Sequence, residues 1–474
     1  MKRWILYVSG IIAILASLLI ICTDLPFGIP SQWTWQRVDR EQLRIFISLI
    51  PVVLVLEALL HAGTLLKRSR RTQFGLIALI FLGSYCMQEA LLEGGRIGRA
   101  ENEIAVLDRY AGGYLTAAAG ITDPVAYFRN YAEKLKRDED RANHLDVHPP
   151  GNVFTAWLML KFCEKMPLIP DEWRIVPAGS HLEKALFRPG HEKEKMLPLQ
   201  LAAILIVRLT PILNALAAVL LFLTAQRLCR NSSPDALEPE PDRLYLCGTF
   251  AAILSAAPVL FAGHCDALYY FLTTLILFLC FTDRSLYAIP AGILTAYGCS
   301  CSLAYGMLIP LAVVIAGKDW RRTALFCAGG LIFAGVVYLM GVDLVSCAVY
   351  AARNNSAFFR ESGRSVLPWI PLNVLDLILF AAPLTVLTAF SCDWRKDRVC
   401  MGAGVLLVFL CVSPFSRGEM GRLLIFLYPV VLLLALKRIL SAENVYDGLM
   451  KHALRTQTLL MIVMRIFLRL AIVW

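Results

Sequence analysis

Residues 198–225 read PLQLAAILIVRLTPILNALAAVLLFLTA, twenty-eight residues interrupted by a single charge, Arg208. As a helix rising about 1.5 Å per residue, this stretch is longer than the roughly 30 Å hydrocarbon core of a bilayer. Working outward from it, apolar runs of similar character recur at 4–22, 44–66, 73–92, 244–262, 268–283, 286–299, 303–317, 323–341, 370–391, 398–414, 422–438 and 456–473. With 198–225 they make thirteen candidate crossings. The pair 286–299 and 303–317 reads alternatively as one broken segment, because Pro290, Gly292, Gly298 and Gly306 interrupt it.

Composition agrees with this reading. Of 474 residues, 58% are hydrophobic and 17% charged, with a mean hydropathy of +0.62, a balance that a soluble or secreted domain does not reach. The first apolar run is followed by many more, so it reads as a retained anchor and not as a cleaved signal. The fold class expected is an all-α polytopic membrane protein of about 13 transmembrane helices, with a large outer loop carrying interfacial helices.

Basic clusters set the orientation, since cytoplasmic loops carry the Lys and Arg excess. With Lys2 and Arg3 inside, alternation places Lys67–Arg71, Arg227 and Arg230, Arg284, Lys318 with Arg321 and Arg322, Arg395–Arg398, and Lys437 with Arg438 on the same side. This holds if all of 93–197 stays outside and Val153–Cys163 is an interfacial or re-entrant helix, too short to cross. The localisation expected is the cytoplasmic (inner) membrane, multi-pass, with the N-terminus cytoplasmic and the large loop periplasmic.

The net charge of +10 is then a topology signal. It does not read as nucleic-acid binding, since the cations are spread loop by loop with no aromatic interleaving. Fourteen cysteines lie mainly inside the apolar runs, and no pair of CxxC motifs marks a zinc site. No phosphate-cradling glycine-rich signature appears either.

Polar residues concentrate in outer segments at 93–197, 263–267, 343–369 and 415–421. In the large loop, Asp123 or Thr122 is placed to cap a helix from Pro124 to Glu139, and His148-Pro149-Pro150-Gly151 forms a bend at the membrane boundary. The loop at 343–369 carries Arg353, Asn354, Asn355, Arg360 and Arg364 before Trp369, basic where basic residues are disfavoured. That excess points to an anionic partner, for which phospholipid head groups suffice. Trp33 and Trp35 read as interfacial aromatic anchors. Arg465 and Arg469, four apart, allow the last run to be an amphipathic surface helix as well as a span.

A large outer loop ending in His-Pro-Pro, an interfacial helix and a span containing Arg208-Leu209-Thr210 resemble the GT-C superfamily of membrane glycosyltransferases. The relatives meant are the bacterial protein O-mannosyltransferase and lipid A aminoarabinose transferase types. Pro258–Asp266, PVLFAGHCD, resembles the family's second outer loop, where an acid stands at the mouth of a helix. Gly418-Glu419-Met420-Gly421-Arg422 resembles its C-terminal Gly-Glu-x-x-Arg element. The resemblance covers roughly residues 73–440, which implies a GT-C-like module there, including outer loop 93–197. An N-terminal helix pair over 1–72 and a C-terminal amphipathic or transmembrane helix over 441–474 flank it.

What the resemblance implies is transfer of a sugar from a polyprenyl-phosphate donor to an acceptor at the outer face. Asp108 and Asp266 are then the candidate catalytic acids. His148, Arg364, Arg417, Glu419 and Arg422 are the candidate substrate-binding residues, and a divalent metal ion is a candidate cofactor. Spans 198–225 and 422–438 would wall a lipid groove. The family's Asp-Glu pair before a Tyr is absent: Tyr110-Ala111-Gly112-Gly113 precede Tyr114. Asp123 and Asp24 therefore stand as rivals to Asp108 for the general base. From the residues alone, Asp266 is also placed to cap the helix that follows, and Glu419 with Arg422 to form a rim salt bridge. A transporter or lipid flippase, or a non-catalytic scaffold on the same fold, are the alternatives. Membrane lipids are expected partners in each case, and nucleic acid in none.

Overall fold

The computed structural model describes residues 2–35, 37, 49–66, 72–94, 98–107, 113–137, 144–166, 193–232, 240–317, 319–392, 397–413, 417–442 and 445–468. Asp108, Lys67–Arg71, Arg395, Lys396 and Arg469 lie outside these residues.

Helix dominates. Helix α1 (Arg3–Cys22) leads into a hairpin of β1 (Phe27–Ile29) and β2 (Trp33–Trp35), followed by α2 (Ile50–Leu66) and α3 (Thr72–Glu93). The large loop contributes α4 (Ala100–Leu107), α5 (Tyr114–Ala119), α6 (Pro124–Arg129), α7 (Tyr131–Arg137) and α8 (Gly151–Glu164). Next come α9 (Lys193–Ser232), α10 (Pro241–Leu254), α11 (Asp266–Cys280), α12 (Ala288–Cys301), α13 (Leu308–Ala316) and α14 (Trp320–Leu339). The chain continues through α15 (Leu344–Glu361), α16 (Val366–Phe380), α17 (Pro383–Phe390), α18 (Arg398–Val412), α19 (Met420–Leu423), α20 (Tyr428–Leu440) and α21 (Asp447–Phe467).

Among the described residues five helices are long and apolar enough to cross a membrane: Arg3–Cys22, Gln73–Glu93, Leu197–Arg230, Pro241–Phe261 and Trp320–Leu339. The pair α15 and α16, bent by 106°, makes a sixth if counted as one span. Four shorter apolar helices accompany them: Ile50–Ala62, Asp266–Cys280, Leu303–Ala316 and Arg398–Val412. The chain is thus a helical membrane protein. Helix α14 illustrates the solvent it is built for, since Leu331, Val336, Tyr338 and Leu339 all point outward, an arrangement that water would penalise and lipid does not.

Helix α20 is the opposite case. Tyr428–Leu436, Ile439 and Leu440 are buried, and the helix packs against α9, α10 and α17 in the middle of the bundle. Spans 198–225 and 422–438, expected to wall a groove, pack on one another, with Leu209, Ile212 and Leu216 of the first facing outward. Polar side chains join helices where apolar packing alone would leave them unspecified: Ser84 and Ser255 hydroxyls lie 2.8 Å apart, and Gln88 Nε2 donates to Ser84 at 3.0 Å.

The first and last described helices lie side by side. Arg3 sits over the Tyr446 ring at 4.3 Å, Gln457 Nε2 donates to the Ser9 carbonyl at 3.2 Å, and Arg37 bridges Leu468 at the far end. They therefore run in the same direction, and the twenty-one residues of α21 rise about 31 Å. Arg465 is buried, not on an amphipathic surface. Its guanidinium donates to the carbonyls of Leu91, Gly94 and Gly98 at 3.1 Å each and pairs with Glu101 at 3.1 Å. It supplies the donors that the C-terminal carbonyls of α3 lack within their own helix.

Two other expectations change locally. The helix expected over Pro124–Glu139 is divided at Asn130 into α6 and α7, with Asp123 accepting from Ala126 N at 3.0 Å as its cap. The span expected over 370–391 breaks at Ala381 and Ala382, where Ala382 adopts φ 68° ahead of Pro383. Pro383 cannot continue a helix with a bonded N–H, so the chain restarts there.

The bundle has two polar ends. At one, Arg227 donates to Thr282 at 3.2 Å, Arg322 to the Asp283 carbonyl at 2.6 Å, and Lys437 pairs with Asp397 at 2.6 Å. At the other, Arg129 donates to the Met340 carbonyl at 3.1 Å, and Asn354 to the Leu135 and Asp146 carbonyls at 3.0 Å each. That second end carries the candidate site.

Candidate functional site

The segment 343–369, expected as a loop, is largely helix. Helix α15 lies on α7 and on the short 3-10 turn His144–Val147, then turns sharply into α16. Arg364 stands in this bend, buried, with its guanidinium against the rings of Phe358, Phe359 and Trp33 at 5.4–5.9 Å. The bend is fixed from outside by the β1–β2 hairpin. Gln32 Oε1 accepts from Ser365 N at 3.0 Å and from Trp369 Nε1 at 2.7 Å, and its Nε2 donates to Ser365 Oγ at 3.0 Å. Gln32 owes its place to the turn over Ile29–Gln32, in which its amide donates to the Ile29 carbonyl at 2.8 Å with Pro30 second in the turn.

Arg364 and Arg417 clasp each other's backbone: each donates from Nη1 to the other's carbonyl, at 2.8 and 2.6 Å. This brings the bend beside the element Gly418–Arg422. Gly418 adopts φ 88° against the indoles of Trp369 and Trp33, where a Cβ would meet Trp369 at 3.1 Å. Glu419 follows with φ 59°, an unusual conformation for a side chain of its size. The consequence is a tight corner that aims Glu419 and Arg422 at one another, 2.8 Å apart.

Arg422 is the hub. Its Nε lies 3.4 Å from Asp266 Oδ2, its Nη2 on Glu419, and its Nη1 3.3 Å from His264 Nδ1. Arg422 and Asp266 are buried, their side chains 6% and 9% exposed, and Glu419 is half-buried at 17%, so the Glu419–Arg422 pair lies below the rim. Asp266 is not a cap either. The capping position belongs to Cys265, and Asp266 opens α11 with its carboxylate turned to Arg422. Arg364 reaches Glu419 only at 3.8 Å, an ion pair longer than a hydrogen bond, and its buried Nε meets no hydrogen-bond partner among the described residues.

His148 precedes α8 on the other flank, half-buried, edge-on to Tyr114 with ring centres 6.1 Å apart. Burial pushes its pKa down to about 4, the nearby Arg422 charge adds to this, and a hydrogen bond with the Cys301 backbone opposes it. The imidazole is therefore neutral near pH 7. Asn152 continues the polar lining, donating to the Cys301 carbonyl at 3.1 Å and accepting from Tyr269 Oη at 2.9 Å.

Beneath the corner lies Asp376, the one carboxylate in α16. Trp35 Nε1 donates to both its oxygens at 3.3 Å, and the amides of Met420 and Gly421 donate to it as well. Trp35 is thus not an interfacial anchor; it is buried between Phe261 and Phe380 at 5.9 and 5.0 Å. Beside Asp376 opens an apolar cavity of about 210 Å³, lined by Leu19, Phe27, Trp33, Trp369, Leu372 and Leu375 among others. Its walls are α1, the hairpin and α16.

Asp266, His148, Arg364, Arg417, Glu419 and Arg422 thus gather at one end of the bundle. Asp123 is spent on capping α6, and Asp24 is exposed after α1. His264, Asp376, Gln32 and Asn152 join the site without having been expected there. A signal existed for Asp376, because a carboxylate within a span is a functional candidate by default. Among the described residues no three His, Cys, Asp or Glu side chains gather as a metal site. In chemical terms, the arrangement offers guanidinium donors for an anion, buried carboxylates able to take a proton, and an apolar recess alongside. The chain matches no protein-family model, no curated protein and no solved structure.

Proposed function

We propose that the protein is a membrane glycosyltransferase that moves a sugar from a polyprenyl-phosphate donor to an acceptor hydroxyl at the outer face of the cytoplasmic membrane. The observation that carries this reading is the largely buried Arg364–Glu419–Arg422–Asp266 cluster standing beside an apolar cavity. A lipid phosphate needs both kinds of surroundings at once: forked cations for its oxygens and an apolar recess for its chain.

In the reaction the acceptor oxygen bonds to the anomeric carbon while the bond from that carbon to the phosphate oxygen breaks. The bonding pair leaves with the polyprenyl phosphate, and the acceptor's proton passes to a carboxylate. Arg364 and Arg422 stabilise the charge developing on the phosphate, and Asp266 is the carboxylate that receives the proton. Asp108 remains a candidate for that proton as well. A divalent ion, where bound, would add charge stabilisation to the same phosphate.

The division of the loop contacts between the two ends supports a site at the outer face. Arg227, Arg322 and Lys437, all expected inside, belong to one end of the bundle, while Gln32, His148, Arg364 and Glu419 belong to the other. Thirteen crossings with the N-terminus inside fit this division.

Transfer of radiolabelled sugar from polyprenyl-phosphate donors to endogenous acceptors tests the proposal, using membranes with wild-type protein or its Asp266→Asn, Arg364→Met and Asp108→Asn variants at equal abundance. Wild-type transfer reduced at least a hundredfold in Asp266→Asn and Arg364→Met supports it, and Asp108→Asn decides which acid is the base. Wild-type membranes that transfer nothing from any such donor would defeat it.

A further inference from the structure

Helix α15 connects α14 to α16 at the end of the bundle that carries the candidate site. The chain leaves α14 through Gly341, which turns with φ 87°, and Asp343 caps α15 by accepting from Ser346 N at 2.9 Å and Ser346 Oγ at 2.7 Å. At its far end the chain bends by 106° into α16. With α14 and α16 crossing the membrane, a helix turned so far from α16 runs along the membrane plane. Its eighteen residues reach about 27 Å.

Its two faces differ. Cys347, Ala351, Asn354 and Ala357 are buried, where the helix packs on α7 and the His144–Val147 turn of the large loop. On the other face Val345, Val349, Arg353, Ser356 and Arg360 follow at intervals of four, four, three and four residues, so they draw one stripe along the helix. Val345 and Val349 are 75% and 59% exposed, Ser356 is half-buried, and both arginines are exposed. Among the described residues no acid pairs with Arg353 or Arg360. Glu361 points about 100° round the helix from Arg360, and Asp343 is occupied with Ser346. Beyond the two ends of the stripe, Tyr338, Leu339 and Met340 of α14 and Leu367 of α16 are exposed apolar residues. The lipid that covers them reaches the valines between them, because the large loop occupies only the buried face.

We propose that this stripe of α15 is a binding surface for anionic phospholipid, with acyl chains against Val345 and Val349 and the negatively charged head group on Arg353 and Arg360. Nothing in this depends on the transferase reading, since Arg364, four residues beyond Arg360, is buried in the candidate site and takes no part. The long arginine side chains carry their charge from a helix at the apolar boundary up to the phosphate layer. Charge selects the lipid class. A zwitterionic head group brings an ammonium that offsets its phosphate, whereas an anionic one leaves its full charge for the two unpaired guanidiniums.

The test places the photo-crosslinker p-benzoylphenylalanine at position 349 of the full-length protein, in nanodiscs of equal parts phosphatidylglycerol and phosphatidylcholine with identical acyl chains. The same crosslinker at position 331, on the outward face of α14, reports ordinary lipid contact. After irradiation, mass spectrometry counts the lipid adducts at each position. At position 349 phosphatidylglycerol adducts should exceed phosphatidylcholine adducts by at least about threefold relative to the ratio at position 331. Adding Arg353→Gln and Arg360→Gln should bring the two positions to the same ratio, and Arg353→Lys with Arg360→Lys should keep them apart. Adducts at 331 with none at 349 would show that the stripe faces water, and equal ratios at both positions would show that it does not select charge. Either result overturns the proposal, as does a preference that survives the glutamine pair. The comparison of the two positions with both arginines in place decides the matter even if a variant does not fold.

Discussion

Replacing Arg422 by Met removes the cation from the site while nearly conserving its volume. The wild-type side chain touches Glu419 at 2.8 Å and Asp266 at 3.4 Å. At an effective dielectric of about 20, these contacts amount to roughly 6 and roughly 5 kcal/mol of gross attraction. Desolvation cancels much of that, so the pair contributes little net stability against an apolar replacement of the whole cluster. Removing one partner alone is different, because a buried and a half-buried carboxylate are left facing a thioether. The expected loss for Arg422→Met is therefore about 3–5 kcal/mol. In Asp266→Asn/Glu419→Gln/Arg422→Met, which removes the charges together, most of it should return. Denaturant unfolding in detergent micelles, followed by tryptophan fluorescence, measures both. A single variant that loses less than about 1 kcal/mol, or a triple variant as unstable as the single, would refute the buried-hub argument.

Acid should act through His148. Its pKa falls from 6.5 unfolded to about 4 folded, so between those values the unfolded chain binds a proton that the native site refuses. Stability from this group is complete above about pH 6.5, declines as pH drops toward 4, and is then flat; the span is at most about 3 kcal/mol, and less because the ring is only half-buried. His148→Gln should flatten that window in unfolding midpoints measured from pH 7 to 4; an unchanged slope argues against the assignment. Arg465→Met should cost about 3 kcal/mol or more by leaving Glu101 and the carbonyls of Leu91, Gly94 and Gly98 without their donor. Loss confined to below about 1 kcal/mol would mean that water or neighbouring amides replace the guanidinium.

The positions of the apolar helices were legible because hydropathy is a local property. Arg3–Cys22, Thr72–Glu93 and Trp320–Leu339 match their expected runs to within three residues. The gathering of Asp266, Glu419 and Arg422 was reachable because each sits in a short polar segment bounded by long apolar ones. What stayed hidden depends on side chains meeting across the chain. Trp35 and Asp376 are 341 residues apart, and nothing near either announces the other. The same holds for Gln32 and Ser365, 333 apart, whose contact turns an apparent anchor segment into the brace of the arginine bend. Arg465 was ambiguous for a related reason: two cations four apart in an apolar helix allow a surface reading until the carbonyl end of α3 is found against one of them. Helix breaks were partly visible. Pro383 marks one, but the backbone angle of Ala382 that completes it leaves no trace in composition.

The side-by-side packing of α1 and α21 bears on the order in which the protein is made. Glu57 in α2 holds Arg455 of α21 through two contacts of 2.6 and 2.7 Å, yet 398 residues separate them in the chain. A ribosome delivers the carboxylate long before its guanidinium. Until the last helix is threaded in, Glu57 lacks its arginine and the Ser9 carbonyl lacks the Gln457 amide. Insertion of α21 then works as a clasp: it pairs Glu57 with Arg455, seats Arg465 on the end of α3 and locks the earliest helices against the latest. Until that clasp closes, the assembled bundle is a seam held open.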